Sequence, residues 1–236
     1  MPQDQPITVF DWFSNQLTLE GRAEFVAQIG PHLKSLIQPG NRVLDLCCGA
    51  GPIAFYLEEQ GALVTGIDLA SALIALARQE AAKRGSQVNF IQASVFTHDL
   101  GNEVYDLVVC LGNAILDFPH QSFSQFRDKV FQALKPEGRL AIQYLDGMLR
   151  VATMSEPEEV VEQGTAGQIV RHFREYDPAL GAYVAEYRHM TTGEIYEYTG
   201  YVYTGPMMRI VMEPRFEFGH SLRLSEASFL DVYLKR

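Results

Sequence analysis

Positive charge is what this chain has least of. Its 19 Lys and Arg stand against 29 Asp and Glu, a formal net charge of -10 at pH 7, with no basic run anywhere. Such a surface repels a phosphate backbone, so nucleic acid is not expected as a partner. Cysteine is scarce as well. Cys47, Cys48 and Cys110 show no Cys-x-x-Cys spacing and fall in or beside apolar runs. That argues against a disulfide framework and against any metal site, and leaves them as small core residues in a reducing cytoplasm. No stretch reaches the roughly 20 apolar residues of a membrane-spanning helix, and residues 1–6 carry neither basic charge nor an apolar targeting run. A cytoplasmic protein with no membrane partner is the expectation.

What the chain does have is one dense stretch, residues 43–70. Val43-Leu44-Asp45-Leu46-Cys47-Cys48-Gly49-Ala50-Gly51-Pro52 starts as a short apolar run, as a buried parallel strand does, and ends in a glycine turn where backbone can approach a ligand closely. Pro52 opens a helix that closes near Gly61. The next strand, Leu63-Val64-Thr65-Gly66-Ile67, delivers Asp68 at its C-terminal tip, where an acid can grip the two hydroxyls of a ribose. This is a nucleoside-binding βαβ unit, and a dinucleotide or S-adenosylmethionine would fit it. Gly49, Gly51 and Ala54 roughly satisfy the dinucleotide fingerprint. Asp45 favours the other ligand: a carboxylate four residues before the first glycine repels pyrophosphate but can bind the cationic amino group of a methionine moiety.

The run Asp45-x-Cys47-x-Gly49-x-Gly51 resembles the nucleotide-binding motif of class I S-adenosylmethionine-dependent methyltransferases, an acid followed by small residues and Gly-x-Gly. The resemblance extends over most of the chain, through Asp68, the strand Tyr105–Cys110 and Leu134-Lys135-Pro136-Glu137-Gly138, which is similar to the family's turn into its fifth strand. It implies an α/β fold, a seven-stranded Rossmann-like sheet with helices on both faces, S-adenosylmethionine as cofactor, and methyl transfer to a nitrogen or oxygen nucleophile of a small molecule. Cofactor binding would then fall on Asp45, Cys47, Gly49, Gly51, Asp68, Leu69, Ser94, Val95 and Leu111. Ser94 departs from the family, which usually places there an acid that contacts the adenine amino group. A serine oxygen still accepts a hydrogen bond, and the backbone of Val95 can still read the adenine edge.

Cys110-Leu111-Gly112-Asn113 is similar to a stretch of glycine and sarcosine N-methyltransferases in which the asparagine lies at the substrate. That makes Asn113 a candidate substrate contact, with turn stabilisation as its other reading. Leu145 stands where those enzymes carry an arginine for the substrate carboxylate, which implies a relative rather than the same activity. Asp117, His120, Tyr144 and His189 are the nearby groups able to orient an acceptor or take its proton.

Residues 1–147 read as an N-terminal helical cover and the cofactor-binding core. Within them Phe25, Ile29, Leu33 and Leu36 recur at helical steps, with a break expected at Gly30-Pro31, and Phe10, Trp12 and Phe13 are candidates to cover the crevice. Leu69-Ala70-Ser71 is expected to cap a helix running to Arg84, residues 87–92 to form the third strand, and Phe123, Phe126, Val130 and Leu134 to line a buried helix face. Residues 148–204 break the alternation of strand and helix. Three antiparallel strands are expected at 168–176, 182–191 and 194–203, carrying seven of the chain's 11 tyrosines and forming a lid over the crevice or, alternatively, a contact with a second subunit of a homo-oligomer. Residues 205–236 return to the core with a short helix and a closing strand pair. Two rival functions share the βαβ unit: an NAD-dependent oxidoreductase, and a module that binds S-adenosylmethionine without turnover.

Overall fold

The structure, a computed structural model, describes residues 19–153, 159–164 and 167–236; Phe10, Trp12 and Phe13 lie outside the described residues. Helix α1 (Leu19–Lys34) leads into β1 (Arg42–Leu46), α2 (Pro52–Glu59), β2 (Leu63–Asp68), α3 (Ser71–Arg84), β3 (Asn89–Gln92) and β4 (Tyr105–Cys110). Two 3-10 turns, Ala114–Asp117 and His120–Ser122, precede α4 (Phe123–Ala133), β5 (Leu134–Leu145) and α5 (Gly147–Thr153). Then come β6 (Glu159–Gly164), β7 (Gly167–Asp177), β8 (Ala182–His189), β9 (Ile195–Tyr201), α6 (Gly205–Met212), β10 (Phe216–Arg223) and β11 (Ser228–Lys235).

Seven strands form one sheet in the order β10-β11-β5-β4-β1-β2-β3, parallel except for β11, which runs antiparallel to both of its neighbours. Strands covered on both faces need apolar side chains at nearly every position, and β1 supplies them: Val43, Leu44 and Leu46 are fully buried. Leu44 and Leu46 pack with Phe123, Phe126 and Val130 of α4 and Met208 and Met212 of α6. Val43 joins Ile29 and Leu33 of α1, Phe55 and Leu57 of α2, and Ile74 and Ala77 of α3 on the other face. The expected α/β sheet with helices on both faces is the observed one. Chain order runs outward from β1 in one direction through β2 and β3 and in the other through β4 and β5. The C-terminal ends of β1 and β4 therefore flank the topological switch point, where crevices open in such sheets.

Several local expectations are corrected. Helix α1 does not break at Gly30-Pro31 but runs through both. Gly30 lies against the ring of Tyr56, where a Cβ would stand 2.7 Å from Cζ, and the helix carries Pro31 in its last turn at the loss of one backbone donor. Within the expected cap Leu69-Ala70-Ser71, the N-cap of α3 is Ala70, whose N–H donates to Asp68 Oδ1 at 2.8 Å, and Ser71 is the first helical residue. The second sheet has four strands, β6-β7-β8-β9, because Glu159–Gly164 adds one to the three expected. α5 was not foreseen; Asp146 Oδ1 accepts from the backbone N–H of Met148 and Leu149 at its start.

Candidate functional site

The turn after β1 is built from left-handed residues: Cys47 at φ 57°, Gly49 at 56° and Gly51 at 81°. Only glycine adopts this region freely, so Cys47 is the strained member, as occurs where a turn is shaped for a purpose. Gly51 is required by packing, since a Cβ there would lie 2.5 Å from Cζ of Phe90. At Gly49 the nearest atom to such a Cβ is 4.0 Å away, leaving room on that side. Asp68 fixes the turn from the neighbouring strand: its Oδ2 accepts from Gly49 N–H at 2.8 Å while Oδ1 holds Ala70. A carboxylate has about four lone-pair sites, and these two bonds fix the direction of the Asp68 side chain at the tip of β2.

Asp45 lies on β1 between Gly66 of β2 and Val109 of β4, 2% exposed, and its Oδ2 has no hydrogen-bond partner among the described residues. Burial, with a smaller contribution from Asp68, pushes it up to about 8. A buried acceptor left in that state calls for a donor, and a charged donor would restore its ionised form. Across the switch point the thiols of Cys47 and Cys110 are hydrogen-bonded, which together with burial raises Cys47 well above the usual thiol range; Asp68 and Asp117 both act on it. The turns after β1, β2 and β4 therefore converge.

The turn after β4 begins with two more left-handed residues, Gly112 at φ 68° and Asn113 at 62°. Gly112 N–H donates to Gln143 Oε1 at 2.8 Å, and Gln143 Nε2 donates to Ser228 Oγ at 3.1 Å, tying the turn to β5 and β11. Asn113 Oδ1 is buried without a partner. Asp117, at the end of the same 3-10 turn, accepts the hydroxyl of Tyr198 from β9 at 2.5 Å. Burial pushes Asp117 up to about 7 against the pull of that bond, and Asp68 adds to the rise.

Other sequence-chosen residues have different surroundings. His120 Nε2 donates to the carbonyl of Val202 at 2.9 Å, and its ring packs edge-on against Tyr203 and below Gly181. It fastens the four-stranded sheet to the core. Tyr144 donates to Asp231 Oδ2 at 3.3 Å, with Tyr233 donating to the same oxygen at 3.0 Å. His189 is 1% exposed, and its Nδ1 accepts from the N–H groups of Thr191 and Thr192, an anchor for the turn between β8 and β9. Ser94 Oγ accepts from Phe96 N–H at 3.3 Å; Val95 and Leu111 are buried, and Leu69 is 48% exposed. Tyr198, which the structure brings onto Asp117, is a candidate site residue that sequence reasoning left unassigned. It stood among seven lid tyrosines, and nothing local marks the one that meets Asp117.

The description "Methyltransferase domain" matches residues 43–138, the span from β1 to the start of β5. A ubiquinone biosynthesis O-methyltransferase of Vibrio cholerae is 34% identical over 108 residues, covering 43% of this chain and 44% of that protein, so the chain spans under half the length of the curated relatives it matches. Among solved structures, a protein of Pyrococcus horikoshii OT3 superposes with a TM-score of 0.75 at 21% identity over 93% of each chain. The CcbJ methyltransferase of Streptomyces caelestis gives 0.75 at 20% identity, over 98% of this chain and 96% of that one. With the strand order and the glycine turn, these likenesses show that the chain has the fold of S-adenosylmethionine-dependent methyltransferases and that residues 43–138 match a methyltransferase domain.

Proposed function

We propose that the chain is an S-adenosylmethionine-dependent methyltransferase acting on a nitrogen or oxygen nucleophile of a small molecule. The observation that carries the reading is the unpartnered, buried Oδ2 of Asp45 at the foot of the glycine turn. Its chemistry matches the amino group of the cofactor's methionine part and is opposed to a pyrophosphate. Asp45 would pair with that ammonium, Asp68 with the ribose hydroxyls, and the turn Cys47-Cys48-Gly49-Ala50-Gly51 would approach the chain between them. Leu69, Ser94, Val95 and Leu111 would enclose the adenine side. When bound, the cofactor supplies an activated methyl group, so the protein's share of the work is orientation and exclusion of water. Asn113 and Asp117 would face the acceptor. Tyr144 and His120 support that wall through the bonds described above. The four-stranded sheet, held over the turn after β4 by Tyr198, serves as the lid and favours an acceptor small enough to be enclosed. The net charge of -10 disfavours polyanionic substrates.

Calorimetric titration with S-adenosylmethionine, S-adenosylhomocysteine and NAD, on the natural chain and on Asp68→Ala, tests this reading. Both sulfur ligands should bind, and the substitution should weaken them about 100-fold or more through lost ribose bonds and a loosened Gly49 turn. Binding of NAD alone would transfer the site to hydride chemistry.

A further inference from the structure

We propose that Asn113, Asp117 and Tyr198 form the acceptor subsite and that the group it takes is a protonated amine, whose nitrogen receives the methyl group. This rests on the methyltransferase reading and adds the chemical class of the acceptor.

Among the described residues, the buried side-chain atoms that lack a hydrogen-bond partner are Asp45 Oδ2, Asn113 Oδ1 and Asp231 Oδ1. All three are acceptors. A buried acceptor without a donor costs about 1–3 kcal/mol, which a ligand's N–H group removes. Asp45 is taken by the cofactor's amino group, and Asp231 is already bonded to two tyrosines through its other oxygen. Asn113 is left to the acceptor. Its side chain starts from a fixed backbone, since Gly112 is tied to Gln143 and the carbonyl of Asn113 accepts from Leu116 N–H at 3.0 Å.

Asp117 lies four residues further along the same turn, and Tyr198 contributes its hydroxyl hydrogen to Oδ1, leaving lone pairs and negative charge for a ligand. Among the described residues, the groups that act on Asp117, Asp45 and Cys47 are other acids, thiols and the Tyr198 phenol; no Lys or Arg is among them. A carboxylate or phenolate acceptor would meet repulsion from Asp117 and Asp68. A neutral hydroxyl has one hydrogen to give and would satisfy either Asp117 or Asn113. An ammonium has enough for both and brings the compensating charge.

The proton balance follows. One N–H proton passes from the ammonium to the Asp117 carboxylate, which frees the nitrogen lone pair. That pair forms the new bond to carbon as the methyl group's bond to sulfur breaks, its electrons staying on sulfur and cancelling the sulfonium charge. Tyr198 is a positioning residue here, holding the carboxylate in place from the lid.

Calorimetry on the chain saturated with S-adenosylhomocysteine, using benzylamine, benzyl alcohol and benzoate from pH 6 to pH 8, tests the proposal. The probes share a ring and differ in head group. Benzylamine should bind about 10-fold or more tighter than either of the others. Its affinity should climb as pH passes about 7, because Asp117 must be ionised; the titratable groups that act on it are Tyr198 from β9, Asp68 from β2 and Cys47 from the turn after β1. Asp117→Asn and Asn113→Ala should each weaken benzylamine. Tyr198→Phe removes a bond that favours the carboxylate and should move the climb to higher pH, whereas a purely structural role would lower affinity equally at every pH. Equal or tighter binding of benzoate or benzyl alcohol, a flat pH profile, or no benzylamine binding at tens of millimolar overturns the proposal. Homocysteine-ligand binding without amine preference leaves the methyltransferase reading standing, while loss of that ligand overturns both.

Discussion

Asp45 is a carboxylate held where water does not follow, and the cost is visible in its raised protonation point of about 8. In the unfolded chain the group ionises near 3.8, so the folded state is penalised progressively as pH rises from about 4 and fully above about 8. Asp45→Asn removes the titration. The variant should gain stability over the natural chain as pH rises from 5 to 8, by about 1 kcal/mol or more at the upper end, while losing affinity for S-adenosylmethionine. Thermal unfolding at a series of pH values checks the sign; a difference that shrinks with rising pH would refute it. Asp45 was legible in the sequence because its position before Gly49 conflicts with an apolar strand and has no structural excuse. The bond from Tyr198 to Asp117 was not, because it joins residues 81 apart through a packing of two sheets that no periodicity encodes. Gly51 is expected from the sequence as a glycine for close approach to a ligand, and the structure adds the ring of Phe90, which a Cβ there would meet.

At the scale of elements, sequence pattern located nearly every strand of the main sheet, since an apolar run between a helix and a glycine leaves few alternatives. It failed where a tertiary contact overrides local preference. Gly30-Pro31 reads as a helix stop, yet α1 continues because the missing side chain lets it close on Tyr56. Gly30→Ala is a good helix substitution in isolation and a poor one here: it should destabilise the fold by about 1–3 kcal/mol, measured by urea unfolding. Strand β6 was missed for a related reason. Its Glu-Val-Val-Glu-Gln-Gly has weak strand character and is held by pairing with β7.

Across the whole molecule, the residues proposed for the cofactor and the turn proposed for the acceptor both sit at the ends of the parallel strands, and the inserted four-stranded sheet adds Tyr198 over Asp117. The insertion leaves and re-enters at a single place: Gly147 N–H donates to the Tyr203 carbonyl at 2.6 Å, and Val202 packs where a side chain on Gly147 would sit. The pairing of β5 with β11 uses no residue of it. Replacing residues 148–202 with a short flexible linker should keep S-adenosylhomocysteine binding in a calorimeter and abolish amine preference. A chain that loses both would show that the two parts fold as one. An excursion with one doorway can be exchanged like a cartridge. Descendants of such a gene can reshape the cover over the crevice by rewriting 55 residues or fewer, with the main sheet inherited untouched.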